Sequence, residues 1–155
     1  MAAGRLPGWL KPMNRVVRGL GRIGLSLGTI HVLTVPGRRS GRPRSTPVSP
    51  LVVDGRRYVI AGLPEGDWAR NVRAARRGVL AKGRRRQAVE LLEVTDTQVR
   101  AAVMAAFPVE VPHGVQFFVT LGLVEKPTPA EFAAAADRVA VFEVRPADRP
   151  VPSRR

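Results

Sequence analysis

Apolar and polar positions recur along this chain with two different periods. Over residues 9–27 the apolar set Trp9, Met13, Val16, Val17, Leu20, Ile23 and Leu27 falls at helical spacing, with Lys11, Arg15, Arg18 and Arg22 on the opposite face. This pattern predicts a basic amphipathic helix. Gly19, Gly21 and Gly24 weaken it by roughly 1 kcal/mol each relative to Ala, so the helix needs a surface to lie on. Either the domain's own core or an anionic membrane provides one.

From residue 29 the pattern changes to that of β structure. Residues 29–35 are apolar and β-branched, and Pro36-Gly37 stops them. Residues 45–53 and 57–61 flank Asp54-Gly55, a type I′ turn signal, and so predict a hairpin. Asp67 is placed to cap a helix running to about residue 77, with Trp68, Asn71, Val72 and Ala75 along one side. A second hairpin is expected from residues 79–81, turning at Lys82-Gly83 into residues 87–94. Thr95 or Asp96 caps a further helix that Pro108 ends after Phe107, and residues 108–114 read as a loop. Residues 115–123 fit strand or helix equally. A short helix over 129–136 and a last strand over 139–144 complete the pattern. Six short strands with hairpins and helices between them predict an α+β barrel rather than a parallel sheet. The expected organisation is an N-terminal helix over 1–28, a barrel domain over 29–145 and a flexible tail over 146–155.

Length and composition fit one domain with one core: 155 residues, 45% hydrophobic and 25% charged. Charge changes the picture. Twenty-six Lys and Arg against twelve Asp and Glu give a net +14, and up to Arg86 there are nineteen basic and three acidic residues. The remainder carries seven basic and nine acidic ones. Such a field attracts anions: nucleic acid, lipid headgroups or a phosphorylated small molecule. Arg far outnumbers Lys, which suits bidentate recognition of phosphate and carboxylate. With no cysteine, thiolate metal sites and cysteine nucleophiles are excluded. His31 and His113, far apart and without a carboxylate pair nearby, make no metal site, and no Gly-x-Ser-x-Gly elbow supports a hydrolase.

Most of the candidate chemistry sits in Pro36-Gly37-Arg38-Arg39-Ser40-Gly41-Arg42-Pro43-Arg44. Arg38, Arg39 and Arg44 can clamp an anion through charge-assisted bonds, and the glycines let backbone amides approach it. The bland alternative is a solvated basic turn. Further on, Trp68 offers a flat apolar face and Asn71 a paired donor and acceptor, suited to holding a planar heterocycle.

These segments together resemble the deazaflavin-dependent nitroreductase family. Its signature has a threonine, a glycine, two basic residues, Ser and Gly, and then Arg and Pro on the next strand. Here Thr34, Gly37, Arg38, Arg39, Ser40, Gly41, Arg42 and Pro43 carry it, with Arg57 to Ala61 and Trp68-Ala69-Arg70-Asn71-Val72 matching further elements. The resemblance covers roughly residues 14–94, and more weakly Phe107-Pro108 and residues 127–129. It implies a split β-barrel related to flavin-binding proteins, and coenzyme F420, which carries a deazaflavin ring, a phosphodiester and an oligoglutamate tail. By matching position, Arg38, Arg39, Ser40 and Arg44 hold phosphate and tail. Pro47, Val48, Ala61 and Gly62 present backbone to the ring, and Trp68 and Asn71 close the site. The implied activity is hydride transfer from the reduced deazaflavin to an electron-poor acceptor such as a quinone or nitro compound.

The chain departs from the family twice. Gly62-Leu63-Pro64-Glu65-Gly66 stands where a Ser-Lys-Gly-Gly type loop is common. Tyr58 is the only tyrosine, and His113, Phe107, Phe117 and Phe118 occupy the region where the family places tyrosines around the acceptor. His113, on the loop, is the candidate proton donor.

Three other readings stay open: a nucleic-acid-binding module, a split barrel that binds FMN or heme or has lost its cofactor, and a peripheral membrane protein resting on residues 9–27. Aromatics make up only 5% of the chain and no recognition motif is present, so no nucleic-acid partner is expected. The expected partner is a small-molecule acceptor, and the chain is expected to be a monomer or homodimer in the cytoplasm or at the inner face of the plasma membrane.

Overall fold

The computed structural model describes residues 30–147; the helix expected over 9–27 and the tail beyond 147 lie outside them. Among the described residues are seven strands: β1 (His31–Pro36), β2 (Pro43–Val48), β3 (Leu51–Val53), β4 (Arg56–Ala61), β5 (Arg77–Lys82), β6 (Arg85–Glu93) and β7 (Ala140–Pro146). Four helices accompany them: α1 (Asp67–Ala75), α2 (Thr97–Glu110), α3 (Val115–Thr120) and α4 (Pro129–Ala134). The strands form one antiparallel sheet in the order β2-β1-β5-β6-β7-β4-β3.

Connectivity dictates the shape. Laid flat, seven strands at ~4.8 Å spacing would separate the edge strands by roughly 29 Å. Yet β2 and β3 lie on opposite edges and only Ser49 and Pro50 join them, a reach of about 10 Å. The sheet therefore curls on itself into a split β-barrel. Its interior is filled by Leu33, Val35, Val59, Leu91 and Phe142, with Ala69 and Val72 of α1 packed over them. Alternate residues of β4 face the other way. Tyr58 and Ile60 join Val103, Met104, Phe107, Phe118 and Phe132 in a second core under α2 and α4.

The single strand expected over 45–53 is two strands on opposite edges. Pro50 has no N–H to continue a ladder, which breaks the run. The hairpin that remains is shorter than expected but turns where the sequence predicts. Val53 pairs with Arg56, and Asp54 and Gly55 take φ values of 51° and 75°, as a type I′ turn requires. In the second hairpin Lys82 pairs with Arg85, so Gly83-Arg84 makes the turn rather than Lys82-Gly83.

Helix boundaries differ in several places; α1 ends at Ala75 and α4 at Ala134, each about two residues short of expectation. Gly66, not Asp67, is the N-cap of α1, and Asp67 lies in its first turn. Asp96 does cap α2, its carboxylate accepting from the backbone N–H groups of Gln98 and Val99 at 2.8 and 3.1 Å. That helix runs through Pro108 to Glu110, because a proline in the last turn forfeits just one backbone bond. The expected loop over 108–114 is thus the end of α2 and a 3-10 turn at Pro112–Gly114, and the ambiguous run after it is α3.

Candidate cofactor site

As an edge strand, β2 leaves one side of its backbone without a strand partner. A cleft of about 960 Å³ runs along it, lined by every residue from Arg44 to Ser49. Six residues of strand extend ~17 Å, so the two ends of the cleft lie far apart and differ in chemistry.

The loop between β1 and β2 builds the cationic end. It closes into a compact ring: the Gly37 N–H donates to the Arg42 carbonyl at 2.7 Å and the Gly41 N–H to the Gly37 carbonyl at 2.9 Å. Gly41 has φ 72°, a conformation that favours glycine. Within this ring the arginines divide. Arg38 turns to α1, where its backbone N–H and its Nη1 both donate to Asn71 Oδ1, at 3.0 and 2.9 Å. Its Nη2 reaches Asp67 Oδ1 at 3.1 Å. Asn71 is buried, so this pair fastens the loop to the helix. Arg39 and Arg44 are exposed, and among the described residues neither has a carboxylate within ion-pair distance. With Ser40 they form a cationic rim, and the first turn of α1 adds the positive end of its dipole.

Aromatic side chains build the opposite end. Phe107 and Phe118 meet edge to face at 4.9 Å, and Phe117 meets Phe118 at 5.6 Å. Beneath them, a Cβ placed on Gly62 would lie 2.8 Å from Leu121 Cδ1 and 2.9 Å from Phe117 Cε2. The missing side chain is what lets α3 and the turn after it close onto the end of β4. Half-buried Trp68 also lines the cleft, packed on Phe142 at 6.1 Å. The segment from Gly62 to Gly66 is held by Arg73, whose Nη1 donates to the Pro64 carbonyl at 2.6 Å. The same guanidinium forks onto Glu93 at 2.9 and 3.0 Å, and that hydrogen-bonded pairing raises its pKa.

Of the residues expected at the site, Arg38, Arg39, Ser40, Arg44, Pro47, Val48, Gly62, Trp68 and Asn71 all line this cleft. Ala61 does not; it is fully buried in the barrel interior. His113 is exposed and outside the lining, with its Nε2 3.5 Å from Ser49 Oγ, which does line it. Sequence reasoning did not expect several other lining residues at the site, Ile30, Ser49, Ile60 and Leu63 among them. Ser49 belongs to no motif, and its only signal is that it directly follows Pro47 and Val48.

A slot with a cationic rim at one end, an indole in its wall and an aromatic cluster at the other end suits a planar heterocycle carrying an anionic tail. The profile of the F420H(2)-dependent quinone reductase family matches residues 10–113. None of the curated proteins matches the chain. Solved structures share the fold. An F420-H2 dependent reductase is 21% identical with a TM-score of 0.51, over 76% of this chain and 94% of that one. A chain described as a domain-swapped dimer is also 21% identical at 0.51, over 87% and 100%. A FAD-binding protein of Mesorhizobium loti is 14% identical at 0.51, over 82% and 87%. At these identities the likeness is one of fold, a split barrel of the flavin-binding type.

Proposed function

The chain belongs to the F420H(2)-dependent quinone reductase family, and on that premise we propose that the cleft along β2 binds reduced coenzyme F420 and passes its hydride to a quinone. Family membership makes the protein an F420-dependent oxidoreductase; the residue roles and the acceptor are our assignment. One observation carries it. Arg39 and Arg44 have no carboxylate partner among the described residues, and they stand at one end of a slot whose other end is aromatic.

When bound, the reduced deazaflavin supplies a hydride, and the protein's task is to orient two flat molecules and exclude water. Arg39, Arg44 and Ser40 take the phosphate and acidic tail, with charge-assisted bonds to exposed oxygens. Arg38 and Asn71 hold the loop in register with α1. The unpaired edge of β2 at Pro47 and Val48, with Gly62 opposite, offers backbone to the ring, and Trp68 covers it. Phe107, Phe117 and Phe118 make an aromatic end that accepts an apolar ring. That wall favours a quinone over a nitro compound, because no tyrosine hydroxyl stands there to hold a nitro group's oxygens. Two further assignments accompany this one. Residues 9–27 rest on an anionic bilayer, close to lipid-soluble acceptors, and two copies associate, as in the domain-swapped relative. Vesicle binding untouched by Arg15→Glu, Arg18→Glu and Arg22→Glu would remove the first, and a monomer by sedimentation velocity the second.

The test is anaerobic oxidation of reduced F420, followed by absorbance, with menadione or with a nitroimidazole as acceptor. Turnover at least tenfold faster with menadione is expected. A preference for the nitro compound would contradict the acceptor assignment, and inactivity with both would contradict the function.

A further inference from the structure

A hydroxyl stands beside the aromatic end of the cleft. Ser49 lines the cleft immediately after β2, and its Oγ lies 3.5 Å from Nε2 of His113. The next residue, Gly114, is pressed against the aromatic wall: a Cβ there would meet Phe107 Cζ at 2.7 Å. The 3-10 turn Pro112–Gly114 therefore fixes His113 directly behind Ser49, with the imidazole open to solvent. The other hydroxyl-bearing side chains of the lining are distributed differently. Ser45 Oγ is paired with Thr34 Oγ1 at 2.8 Å, Thr46 lies within β2 opposite Leu33, and Ser40 lies in the cationic loop.

We propose that Ser49 protonates the reduced acceptor and that His113 acts through it as the proton source. This rests on the quinone-reductase reading above. A quinone that receives a hydride from the reduced cofactor gains two electrons and one hydrogen, and one of its oxygens is left anionic. Hydroquinone forms only when that oxygen also gains a proton. The Oγ–H bond of Ser49 breaks as the O–H bond on the acceptor forms. Ser49 recovers its proton from His113 Nε2, and the exposed imidazole takes one from water. The cofactor is oxidised, losing the hydride to the quinone and then its second hydrogen as a proton to solvent; the quinone is reduced to hydroquinone, and no net proton is consumed. A hydroxyl held beside the acceptor, with an imidazole behind it, delivers that proton in place rather than by random encounter with water. A general acid in this position accelerates its step by about a hundredfold or more. Ser49 is thus assigned as a catalytic residue and His113 as a positioning and proton-supplying residue behind it.

The experiment compares wild type, Ser49→Ala, Ser49→Thr and His113→Ala in menadione reduction, with and without added imidazole. F420 binding and affinity for 2,6-dichlorophenolate, a stand-in for the hydroquinone anion, are measured on the same proteins. Ser49→Ala and His113→Ala are expected to lower kcat by ten- to a hundredfold while leaving F420 binding within a factor of two. Both weaken phenolate binding several-fold, and Ser49→Thr retains most of the activity. Added imidazole restores His113→Ala and does not restore Ser49→Ala, a distinction that a merely structural role for His113 would not produce. An active wild type whose Ser49→Ala form turns over within twofold of it overturns this proposal and leaves the function intact. So does imidazole that restores both variants or neither. A wild type that binds no F420 overturns the function and this proposal with it.

Discussion

Arg38 and its neighbours Arg39 and Arg44 look alike in sequence, and the structure gives them different work. Replacing Arg38 with Ala removes the Nη1 bond to Asn71 Oδ1 at 2.9 Å and the Nη2 contact to Asp67 at 3.1 Å. The second contributes little, because the Asp67 side chain is 90% exposed and solvent screens the pair. The first joins a guanidinium to the amide oxygen of Asn71, a residue 5% exposed, which keeps only the Arg38 backbone N–H after the change. A hydrogen bond from a charged donor to a buried acceptor contributes about 1–2 kcal/mol net, so Tm should fall by roughly 3–8 °C in a domain of this size. Arg39→Ala and Arg44→Ala remove exposed side chains that bond no carboxylate, so stability should stay within about 0.5 kcal/mol. Each should instead weaken F420 binding about tenfold, close to 1.4 kcal/mol. Thermal unfolding without cofactor separates the two kinds of residue. A double-mutant cycle of Arg38→Ala with Asn71→Ala should show a coupling of at least ~0.5 kcal/mol. An unchanged Tm for Arg38→Ala, or additive single and double variants, would refute the strut between loop and helix.

Other positions follow from the same geometry. A Cβ on Gly78 would lie 2.6 Å from the Thr34 carbonyl oxygen and 2.8 Å from Val35 Cγ1, so Gly78→Ala must push β1 and β5 apart. It should cost about 1–3 kcal/mol in urea unfolding. Gly62→Ala meets only the tips of Leu121 and Phe117; stability should change by less than about 1 kcal/mol, while KM for the quinone rises as the aromatic wall shifts. Glu143 is held below the usual carboxylate range by its hydrogen bond to Arg145 and by the charges of Arg145 and Arg56, against a smaller opposing effect of burial. Its lowered folded-state pKa adds stability that is full above the unfolded value of about 4.3 and is lost as pH falls through the folded value. Glu143→Gln should therefore unfold with a shallower pH dependence in that acid range, seen in urea titrations at stepped pH.

Local chemistry made part of this structure legible in advance. Asp54-Gly55 specifies its turn because both residues tolerate positive φ, and Asp96 specifies a helix start because its carboxylate takes two otherwise unbonded N–H groups. The cationic loop was visible because glycines and arginines alternate there for reasons of backbone geometry and charge. Much of what went unread depends on residues distant in sequence. Pro50 signals a break, but nothing local says that the chain then crosses to the far edge of the sheet; closure of the barrel decides that. Residues 115–120 have no decisive period, and they become helix because Phe118 must reach Phe107 and Phe132. Arg38 could not be told from Arg39 because its partners, Asp67 and Asn71, lie about thirty residues away. Ser49 was silent for the same reason: His113, its neighbour in space, is sixty-four residues further along.

The most direct test of the central claim is equilibrium binding of F420 to Trp9→Phe protein, which leaves Trp68 as the sole indole reporter in the cleft. Saturable quenching at one site per chain is expected, with FMN at the same concentration quenching far less. Arg39→Ala/Arg44→Ala should weaken F420 binding about a hundredfold, and by a smaller factor as salt rises. No quenching by F420, tighter binding of FMN, or affinity untouched by the double change would contradict the claim that this cleft and its arginines hold the deazaflavin.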